Sequence, residues 1–467
     1  MAKTEHMDRL RKLLTRRPAK TATILAELAI SQPTFSRLWS AITDGIVLGA
    51  SRARQYALRR DVPGVDAPIA VFRISETGQV ASIGQLTALH GGFYLKTFPD
   101  GTGYRLFEGL PYFLRDLRPQ GFLGRMEPAR HRDLDLPVDI LRWTDEHVLK
   151  YVSRRSEHAA GDLMLGNESY ARYIADMPKV RAAIIPDANR ADRYPGMAEH
   201  SMQGEIPGSS AGGEQPKFTA VIQRHGEQEN IEHVIVKFSP QTSSPSGRRW
   251  GDLLICEHLA LEVLGRNTIA AAKTSILESG GRVFLEVVRF DRVGLTGRRP
   301  MATFSALDGD LGMLDQSWTA VARELGKLGQ LSETHIETVE ILDLYGALIG
   351  NTDKHHGNIA VAWEADQPHR ILDAYDMLPM MYRPNAHGEI VERAWVPNLG
   401  ARLALRHLPR CCEMAHQFWT AVLDDARIST SFKHEVAKRH VTTLQALGYS
   451  PVSEAKRLDQ HHLNNGS

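Results

Sequence analysis

The first sixty residues repeat apolar and polar positions in a way that predicts three helices followed by two strands. The segments MDRLRKLLTRR, TATILAELA and SQPTFSRLWSAITDG each place apolar residues at helical spacing. In the third segment Ser31 suits the N-cap, Pro33 suits the first turn and Gly45 suits a C-terminal stop. The runs GIVLGAS and ARQYALRR then predict two β-strands. The residues predicted to face the core of this small domain are Leu10, Leu13, Leu14, Ile24, Leu25, Leu28, Phe35, Leu38, Trp39 and Ile42.

The net charge of this N-terminal segment suggests a function for it. Residues 1–62 contain 12 Lys/Arg and 5 Asp/Glu, a net +7, which leaves −6 for the rest of a chain whose total is +1. Three helices and a β-hairpin with surplus positive charge resemble a winged helix-turn-helix that binds double-stranded DNA. The alternative is a small helical protein-docking domain with a solvated basic face. The residues predicted to contact DNA are Ser31, Gln32, Thr34, Ser36 and Arg37 on the recognition helix, and Arg52 and Arg54 on the wing.

A β-rich middle region follows, in which one lysine stands out. PIAVFRISETGQVASIGQL predicts two strands joined by a glycine turn, and GEIPGSSAGGEQPKFTAVI predicts a small-residue loop that enters a strand at Lys217. Lys237 lies in HVIVKFS, a further apolar strand, where a buried ammonium group needs a partner and a phosphate would suit it. The alternative is a turn between surface strands, with Lys237 facing water.

The run GGRVFLEVVRFDR (280–292) predicts a strand that ends at a charged break. We interpret this break as the crossing point between two lobes. An ordinary strand exit would have the same pattern.

The pattern changes again near residue 350. SETHIETVEILDLYGALIG predicts a helix capped by Ser332, and IAVAW and RILDAY predict a hairpin that begins just after the loop NTDKHHGN. This topology brings Asp353, Asn358 and Asp376 close together. One acid can orient an attacking hydroxyl, while an amide and a second carboxylate can hold Mg²⁺. Asp-x4-Asn is also the spacing of the protein-kinase catalytic loop.

Two other interpretations of this loop remain. His355 and His356 follow an acid, as they could in a metal hydrolase, but they form no i, i+4 pair on a helix. Asp and Asn are also frequent in purely structural turns.

Composition excludes several classes of protein. No apolar run approaches the roughly 18 residues of a membrane span, and the basic N-terminal segment does not have the pattern of a secretory signal. The cysteines Cys256, Cys411 and Cys412 form neither a zinc spacing nor a disulfide framework. We therefore expect a cytoplasmic protein with no membrane partner.

Four stretches in order, GLPYFLRDLRPQGFLGR, SSAGGEQPKF, GNTDKHHGN and AYD, make the chain resemble the HipA family of serine/threonine kinases. These kinases are the toxins of bacterial toxin–antitoxin pairs. The resemblance covers residues 66 to 440, approximately, and implies an α+β, two-lobed, protein-kinase-like fold that binds ATP and Mg²⁺. It implies Asp353 as the catalytic acid, Asn358 and Asp376 as metal ligands, and Ser210 as a self-phosphorylated residue, with Ser209 as its neighbour. The residues implied to bind ATP are Ser210, Gly212, Gly213, Lys217, Lys237, Arg289, His355 and Asn358.

The predicted domains are therefore a winged helix-turn-helix at 1–62, an N-terminal lobe at 66–288 and a mainly helical catalytic lobe at 289–467. A typical family member meets its DNA-binding antitoxin as a separate protein, whereas this chain has its own predicted winged helix. The family implies growth arrest by phosphorylation of a translation component, such as an aminoacyl-tRNA synthetase. The alternatives are a small-molecule hydroxyl kinase and a nucleotide-sensing transcription regulator without kinase activity.

Overall fold

The computed structural model describes residues 2–99, 103–203, 215–224, 230–313, 316–363, 369–385, 387–396 and 404–446. Within these residues the α-helices are α1 Ala2–Leu14, α2 Thr21–Leu28, α3 Gln32–Trp39, α4 Gly121–Arg125, α5 Glu127–Arg130, α6 Asp145–Arg155, α7 Asn167–Ala182, α8 Arg190–Gln203, α9 Pro245–Arg266, α10 Phe304–Leu311, α11 Trp318–Lys327, α12 Glu333–Ile349, α13 Leu408–Asp424, α14 Thr430–Phe432 and α15 Lys438–Ala446. The strands are β1 Ala19–Lys20, β2 Gly45–Leu48, β3 Gln55–Leu58, β4 Ile69–Ile74, β5 Val80–Ala88, β6 Phe93–Thr97, β7 Tyr104–Glu108, β8 Leu163–Leu165, β9 Ile185–Pro186, β10 Lys217–Gln223, β11 Ile231–Phe238, β12 Thr274–Ser279, β13 Arg282–Val288, β14 Arg292–Val293, β15 Gly297–Arg298, β16 Ala302–Thr303, β17 Ala360–Ala362 and β18 Arg370–Ile371.

The chain divides into two compact units. The first contains Met1–Ala183 with Asp291–Ala302, and the second contains Ile184–Phe290 with Thr303–Ser467. The predicted range 1–62 lies wholly in the first unit, and the predicted range 66–288 has residues in both. None of the described helices is at once long enough and apolar enough to cross a lipid bilayer.

The N-terminal sixty residues form the predicted three helices and a small antiparallel sheet. Its strand order is β1-β3-β2, so a short strand before α2 joins the predicted hairpin. The predicted core is confirmed: most of its residues are buried, and the rest are partly buried against them. The partly buried ones are Leu25, Trp39 and Ile42. The three helices and the antiparallel sheet follow one another in the order predicted from the sequence.

The prediction that Gly45 stops the third helix is wrong. The helix ends at Trp39, where the Ser40 hydroxyl donates to the Arg37 carbonyl at 3.0 Å and the chain enters tighter turns. Gly45 instead begins β2, and a Cβ there would lie 2.6 Å from the Trp39 ring. A glycine is required at this position by close packing against the tryptophan.

The rest of the first unit is built on a five-stranded antiparallel sheet with the order β7-β6-β5-β4-β8. The predicted strand pair of this region is confirmed as β4 and β5. Its turn contains Gly78 at a φ of +79°, and Ser75 exchanges backbone hydrogen bonds with Gln79 and Gly78 across it. A glycine adopts this left-handed conformation without the strain that a Cβ would impose.

The second unit contains a five-stranded sheet with the order β12-β13-β11-β10-β9. β9 runs parallel to β10, and the other neighbours are antiparallel. The predicted strands around Lys217 and Lys237 are confirmed as β10 and β11, and these two lysines are cross-strand partners. One face of the sheet has an aromatic core, which is formed by Tyr194, Phe218, Phe238 and Phe284.

Helices complete the second unit. The predicted helix ending near residue 350 is confirmed as α12, although the Ser332 side chain makes no capping hydrogen bond. Gly350 follows it at a φ of +82°, which stops the helix and directs the chain into the loop that precedes β17. The predicted hairpin is confirmed, since β17 and β18 pair antiparallel with Val361 opposite Ile371.

Candidate active site

Three ionisable side chains, Lys237, Glu257 and Asp376, meet in the second unit. Lys237 is next to last in β11, Glu257 lies in the middle of α9, and Asp376 lies shortly after β18. The Lys237 ammonium group donates to both carboxylate oxygens of Glu257, at 2.6 and 2.7 Å, and also to Asp376 Oδ1. Lys237 is 5% exposed and Glu257 is fully buried. The lysine therefore has the charged partners that burial requires.

The sequence predicted a partner for Lys237 but did not identify Glu257. The only signal was a pair of acids, Glu257 and Glu262, in the largely apolar run LLICEHLALEVL, where helical spacing puts Glu257 among the buried residues of α9. A buried lysine and a buried glutamate on neighbouring elements pair because each is costly alone. In protein kinases this type of strand lysine–helix glutamate pair must be in place for phosphoryl transfer.

The cluster perturbs the pKa of each of its members. Burial lowers the pKa of Lys237, but the Asp376 and Glu257 carboxylates outweigh this effect and hold the pKa above its ordinary value. Burial raises the pKa of Asp376, but the charges of Lys237 and Lys217 dominate and bring it to about 2. Burial raises the pKa of Glu257 against the opposing effect of Lys237. Lys237 and Asp376 are therefore both charged at neutral pH.

The backbone around Asp376 is held in an uncommon conformation. Asp376 has a φ of +53°, which is left-handed and costs a non-glycine residue roughly 1–2 kcal/mol. Two backbone hydrogen bonds of 2.9 Å join Ala374 to Ala270 and Ala272, just beyond the end of α9. The Asn351 side chain also donates to the Asp376 carbonyl at 3.3 Å. These contacts determine where the carboxylate points, as is common at functional sites.

Asp353 and Asn358 lie in one loop after α12, and hydrogen bonds within this loop hold its shape. The Asp353 N–H donates to Asn351 Oδ1 at 2.9 Å, and the Asp353 carbonyl accepts from Asn358 Nδ2 at 2.8 Å. The Asp353 carboxylate takes no part in these bonds and is only half-buried. The bond from Asn358 uses its NH₂ group, which leaves the amide oxygen to act as an acceptor for a cation. Asn351, which contacts both Asp353 and the Asp376 backbone, connects the two predicted acids.

The histidines of this loop have structural contacts. His356 is buried, and its Nε2 lies 3.0 Å from the Gln316 carbonyl. His355 is exposed, and its Nδ1 accepts from the Gly357 N–H at 3.1 Å. Among the described residues, neither histidine belongs to a group of three or more side chains spaced to hold a metal. His355 lies near enough to Asp376 to help lower its pKa.

The donor set fits Mg²⁺ and a nucleotide. Asp376 and Asn358 offer hard oxygen donors, which Mg²⁺ prefers. The Asp376 side chain retains 27% of its surface exposed, so it is open to an ion, while Lys237 and Lys217 bring positive charge to the same place. Four of the residues predicted from the sequence, Lys217, Lys237, Asn358 and Asp376, would be the ones to hold a Mg²⁺–ATP complex here, and Glu257 pairs with Lys237.

Of the other residues predicted to bind ATP or DNA, Arg289 lies away from the Lys237 cluster and several are not among the described residues. Arg289 follows β13, and its N–H donates at 2.8 Å to the carbonyl of His233, which is four residues before Lys237 on β11. That separation is roughly 13 Å along a strand. The predicted loop residues lie outside the described residues, and so does the side chain of Arg52. These loop residues are Ser209, Ser210, Gly212 and Gly213.

The predicted recognition helix has a polar outer face. Ser31, Gln32, Ser36 and Arg37 are exposed, Thr34 is half-buried, and the wing residue Arg54 is exposed. The Ser31 hydroxyl lies at the N-cap but forms its hydrogen bond, of 3.0 Å, with the Thr34 hydroxyl. The Arg37 Nε donates to the Pro33 carbonyl at 3.3 Å, which leaves the rest of its guanidinium group at the surface.

Comparison with known proteins agrees with this architecture. Residues 209–442 match the model of the HipA-like C-terminal domain, and residues 65–174 match that of the YjjJ-like toxin, middle domain. The chain is 35% identical over 431 residues to the protein named Toxin YjjJ of Escherichia coli strain K12, covering 92% of this chain and 95% of that protein. The chain belongs to the HipA-like toxin family. The family predicted from the sequence motifs is thus confirmed.

A solved structure extends the comparison to the fold. HipA of Shewanella oneidensis MR-1, in a complex with HipB and its operator DNA, aligns with a TM-score of 0.51 at 13% sequence identity. The alignment covers 81% of this chain and 98% of that one. The predicted fold class is confirmed: the chain has the mixed helix and strand fold of HipA-like kinases.

Proposed function

We propose that this HipA-like protein is an ATP-dependent protein kinase that phosphorylates serine or threonine. The observation that supports this most strongly is the Lys237–Glu257–Asp376 cluster beside the loop that carries Asp353 and Asn358. A strand lysine paired with a helix glutamate, a metal-binding acid and an Asp-x4-Asn loop are the parts that kinase chemistry requires. Each part lies in the same compact unit of the chain.

Each residue has a role in this proposal. The Asp353 carboxylate accepts the proton of the attacking hydroxyl or orients that hydroxyl, because it is half-exposed on a loop held by its own backbone groups. Asp376 and Asn358 hold Mg²⁺, which when bound neutralises phosphate charge. Lys237, kept charged by its carboxylate partners, binds phosphate oxygens, and Glu257 holds Lys237 in position.

The metal site can be tested by removing Asp376. We expect Asp376→Ala to weaken Mg²⁺-dependent ATP binding by at least about 100-fold, the upper effect of losing even an outer-shell partner of a metal. The fold is expected to survive because Lys237 keeps Glu257 as its partner. Titration calorimetry with ATP, with Mg²⁺ present or removed by EDTA, measures this effect. Unchanged Mg²⁺–ATP affinity in the variant would exclude Asp376 from the site.

The biological role that we propose follows the named relative. Because a protein named as a toxin is 35% identical over nearly the whole chain, we propose that this kinase arrests growth. The substrate that we propose is a component of the translation machinery, such as an aminoacyl-tRNA synthetase. Such a substrate would present a serine or threonine hydroxyl to Asp353.

We also propose that residues 1–62 bind double-stranded DNA. The winged-helix topology, the net charge of +7 and the exposed polar face of α3 support this proposal. The Shewanella HipA structure is a complex with HipB and operator DNA. In this chain the DNA contact would come from its own N-terminal domain, and a separate antitoxin could bind in addition.

DNA binding makes a specific prediction for Arg37. In the full-length protein, Arg37→Ala is expected to weaken binding to duplex DNA and to reduce the slope of log K against log salt by about 0.9, the value for one phosphate contact. The matched control is Arg142→Ala, since this arginine is 83% exposed in the same unit but outside the winged helix. Electrophoretic retardation over a range of salt concentrations measures both variants. Equal loss of binding in both, or no binding by the wild type at low salt, would favour the docking-domain interpretation.

Control of the kinase by self-phosphorylation gives a further prediction. Ser210 lies in a glycine-rich segment a few residues before Lys217, and a phosphate there would carry about −1.5 to −2 charges at neutral pH. It would compete with ATP for the positive charge of Lys217 and Lys237. We expect mass spectrometry to find phosphate at Ser210 in the active protein but not in Asp353→Ala, and we expect the phosphorylated form to lose ATP binding.

Two controls make that experiment decisive. Ser209→Ala should retain the modification and Ser210→Ala should lose it, which separates the adjacent serines. Phosphate at Ser210 in the Asp353→Ala protein would show that another kinase adds it. Undiminished ATP binding by the phosphorylated form would contradict the regulatory role.

A further inference from the structure

A cluster of metal-binding side chains lies in the first unit. Glu157 and His158 are in the turn after α6, and Asp176 is on α7. One ligand atom from each of the three residues lies within 4.8 Å of the other two. We propose that these residues form a binding site for a divalent transition-metal ion, with Zn²⁺ as the best-matched ion. Neither the kinase chemistry nor DNA binding uses this cluster.

The buried carboxylate of Glu157 is the observation that points to a ligand. Glu157 is only 2% exposed, and its Oε1 accepts from Arg172 Nε at 2.5 Å. Its Oε2 is buried and has no hydrogen-bond partner among the described residues. Leaving a charged oxygen without a donor or an ion in the interior is unfavourable. A cation bound at the cluster would give this oxygen a partner.

The other two ligands already have suitable spacing. His158 Nε2 lies 3.4 Å from Asp176 Oδ2. Two donors at about 2.1 Å from one tetrahedral Zn²⁺ are roughly 3.4 Å apart, so an ion can bind both with little rearrangement. One imidazole nitrogen and two carboxylate oxygens suit Zn²⁺ better than Mg²⁺ or Ca²⁺, which prefer oxygen alone. A water molecule would complete the tetrahedron.

The positive charge near the cluster comes from Lys179, from Arg172 and from the buried Arg298, whose Nη2 donates to the Glu157 backbone carbonyl. Asp176 Oδ1 accepts from Lys179 Nζ at 2.7 Å, but Lys179 is one turn along the same helix and its side chain is 77% exposed. An exposed pair of this kind is weak, so Lys179 can turn into solvent when a divalent ion neutralises Asp176. Arg172 would remain on the other oxygen of Glu157 and orient it.

The scaffold holds the ligand-bearing turn against α7. The backbone N–H of Ser156 donates to the Ser169 hydroxyl at 3.0 Å, and both serines are fully buried. Ser169 lies two helical turns before Asp176, so this bond joins the turn to the helix that supplies the third ligand. Arg292 also donates to the His158 and Ala159 carbonyls. An ion here would bind between two segments that hydrogen bonds already hold together, so little order has to be gained on binding.

Titration calorimetry of the full-length protein with Zn²⁺ tests this site. The informative variant is His158→Ala, because this side chain is 65% exposed and its removal should not disturb folding. Asp176→Asn is the second variant. We expect the wild type to bind one more equivalent of Zn²⁺ than either variant, or to bind it at least tenfold more tightly. The controls, Asp376→Ala at the kinase site and His90→Ala in the same unit, should both retain that equivalent.

Co²⁺ provides a second readout that does not depend on stability. Wild-type protein titrated with Co²⁺ should develop the visible absorption of a four- or five-coordinate ion, and His158→Ala should not. The proposal is overturned if the wild type takes up no Zn²⁺, or if His158→Ala and Asp176→Asn match its stoichiometry and affinity. It is also overturned if Asp376→Ala removes the same equivalent, since the ion would then lie at the kinase site.

Discussion

Replacing Asp353 with asparagine is expected to slow phosphoryl transfer by a factor of about 10²–10⁴, the usual contribution of a positioned acid or base. Mg²⁺–ATP affinity should stay at the wild-type value. The reason is that the backbone N–H and carbonyl of Asp353, not its carboxylate, bond to Asn351 and Asn358 and brace the loop. Asparagine preserves these bonds and the side-chain shape, and it removes only the ability to accept a proton.

Single-turnover kinetics with labelled ATP, together with calorimetry, separate the two quantities. The matched control is Asp424→Asn, since Asp424 is an exposed acid at the end of α13 in the same unit. That variant should transfer phosphate at the wild-type rate. If Asp353→Asn loses nucleotide binding as well, Asp353 acts in the ATP site and not on the hydroxyl. If it retains full activity, Asp353 is not the catalytic residue.

Replacing Lys237 with methionine is expected to lower the free energy of unfolding by about 3–5 kcal/mol, the cost of leaving a buried charge without its partner. Glu257 is fully buried and would lose the ammonium group that contacts both of its oxygens. The variant should also lose Mg²⁺–ATP binding, because Lys237 is the proposed phosphate ligand. Urea denaturation and calorimetry measure the two effects.

A double variant separates stability from function. Lys237→Met with Glu257→Leu removes both buried charges, so most of the lost stability should return while ATP binding stays absent. Lys327→Met is the control, because this lysine is 73% exposed in a surface pair with Glu324 and should contribute less than about 1 kcal/mol. A Lys237→Met protein as stable as the wild type would show that the cluster is not a buried ion pair.

Short-range patterns predicted much of this fold. The apolar stripes of the N-terminal helices and the strand patterns of β4, β5, β10 and β11 depend on neighbouring residues, and the structure confirms these elements. Gly45 shows where such reasoning fails. A glycine after a helical pattern suggests a helix stop, but here it is required because the Trp39 ring packs against it. That contact depends on how the chain turns back between α3 and β2, which the spacing of apolar residues does not reveal.

Part of the candidate site was also predictable, because it depends on short-range sequence patterns. Asp353 and Asn358 lie in one loop with a known spacing, and the hairpin explains how Asp376 returns to it. Glu257 was not predicted, because it lies twenty residues from Lys237 in a helix that also contains Asp252 and Glu262, and the apolar pattern does not show which of these acids pairs with the lysine. The left-handed backbone of Asp376 and the orphaned oxygen of Glu157 also arise only from three-dimensional packing.

The most direct test of the kinase proposal is phosphopeptide mapping of a cell lysate incubated with the purified protein and γ-labelled ATP. We expect new phosphoserine or phosphothreonine sites in at least one translation protein with the wild type, and none of these with Asp353→Asn. Label found only in a small metabolite would instead identify a small-molecule hydroxyl kinase. ATP binding without any transfer would indicate a nucleotide-sensing regulator. Either of the last two results would contradict the assignment as a protein kinase.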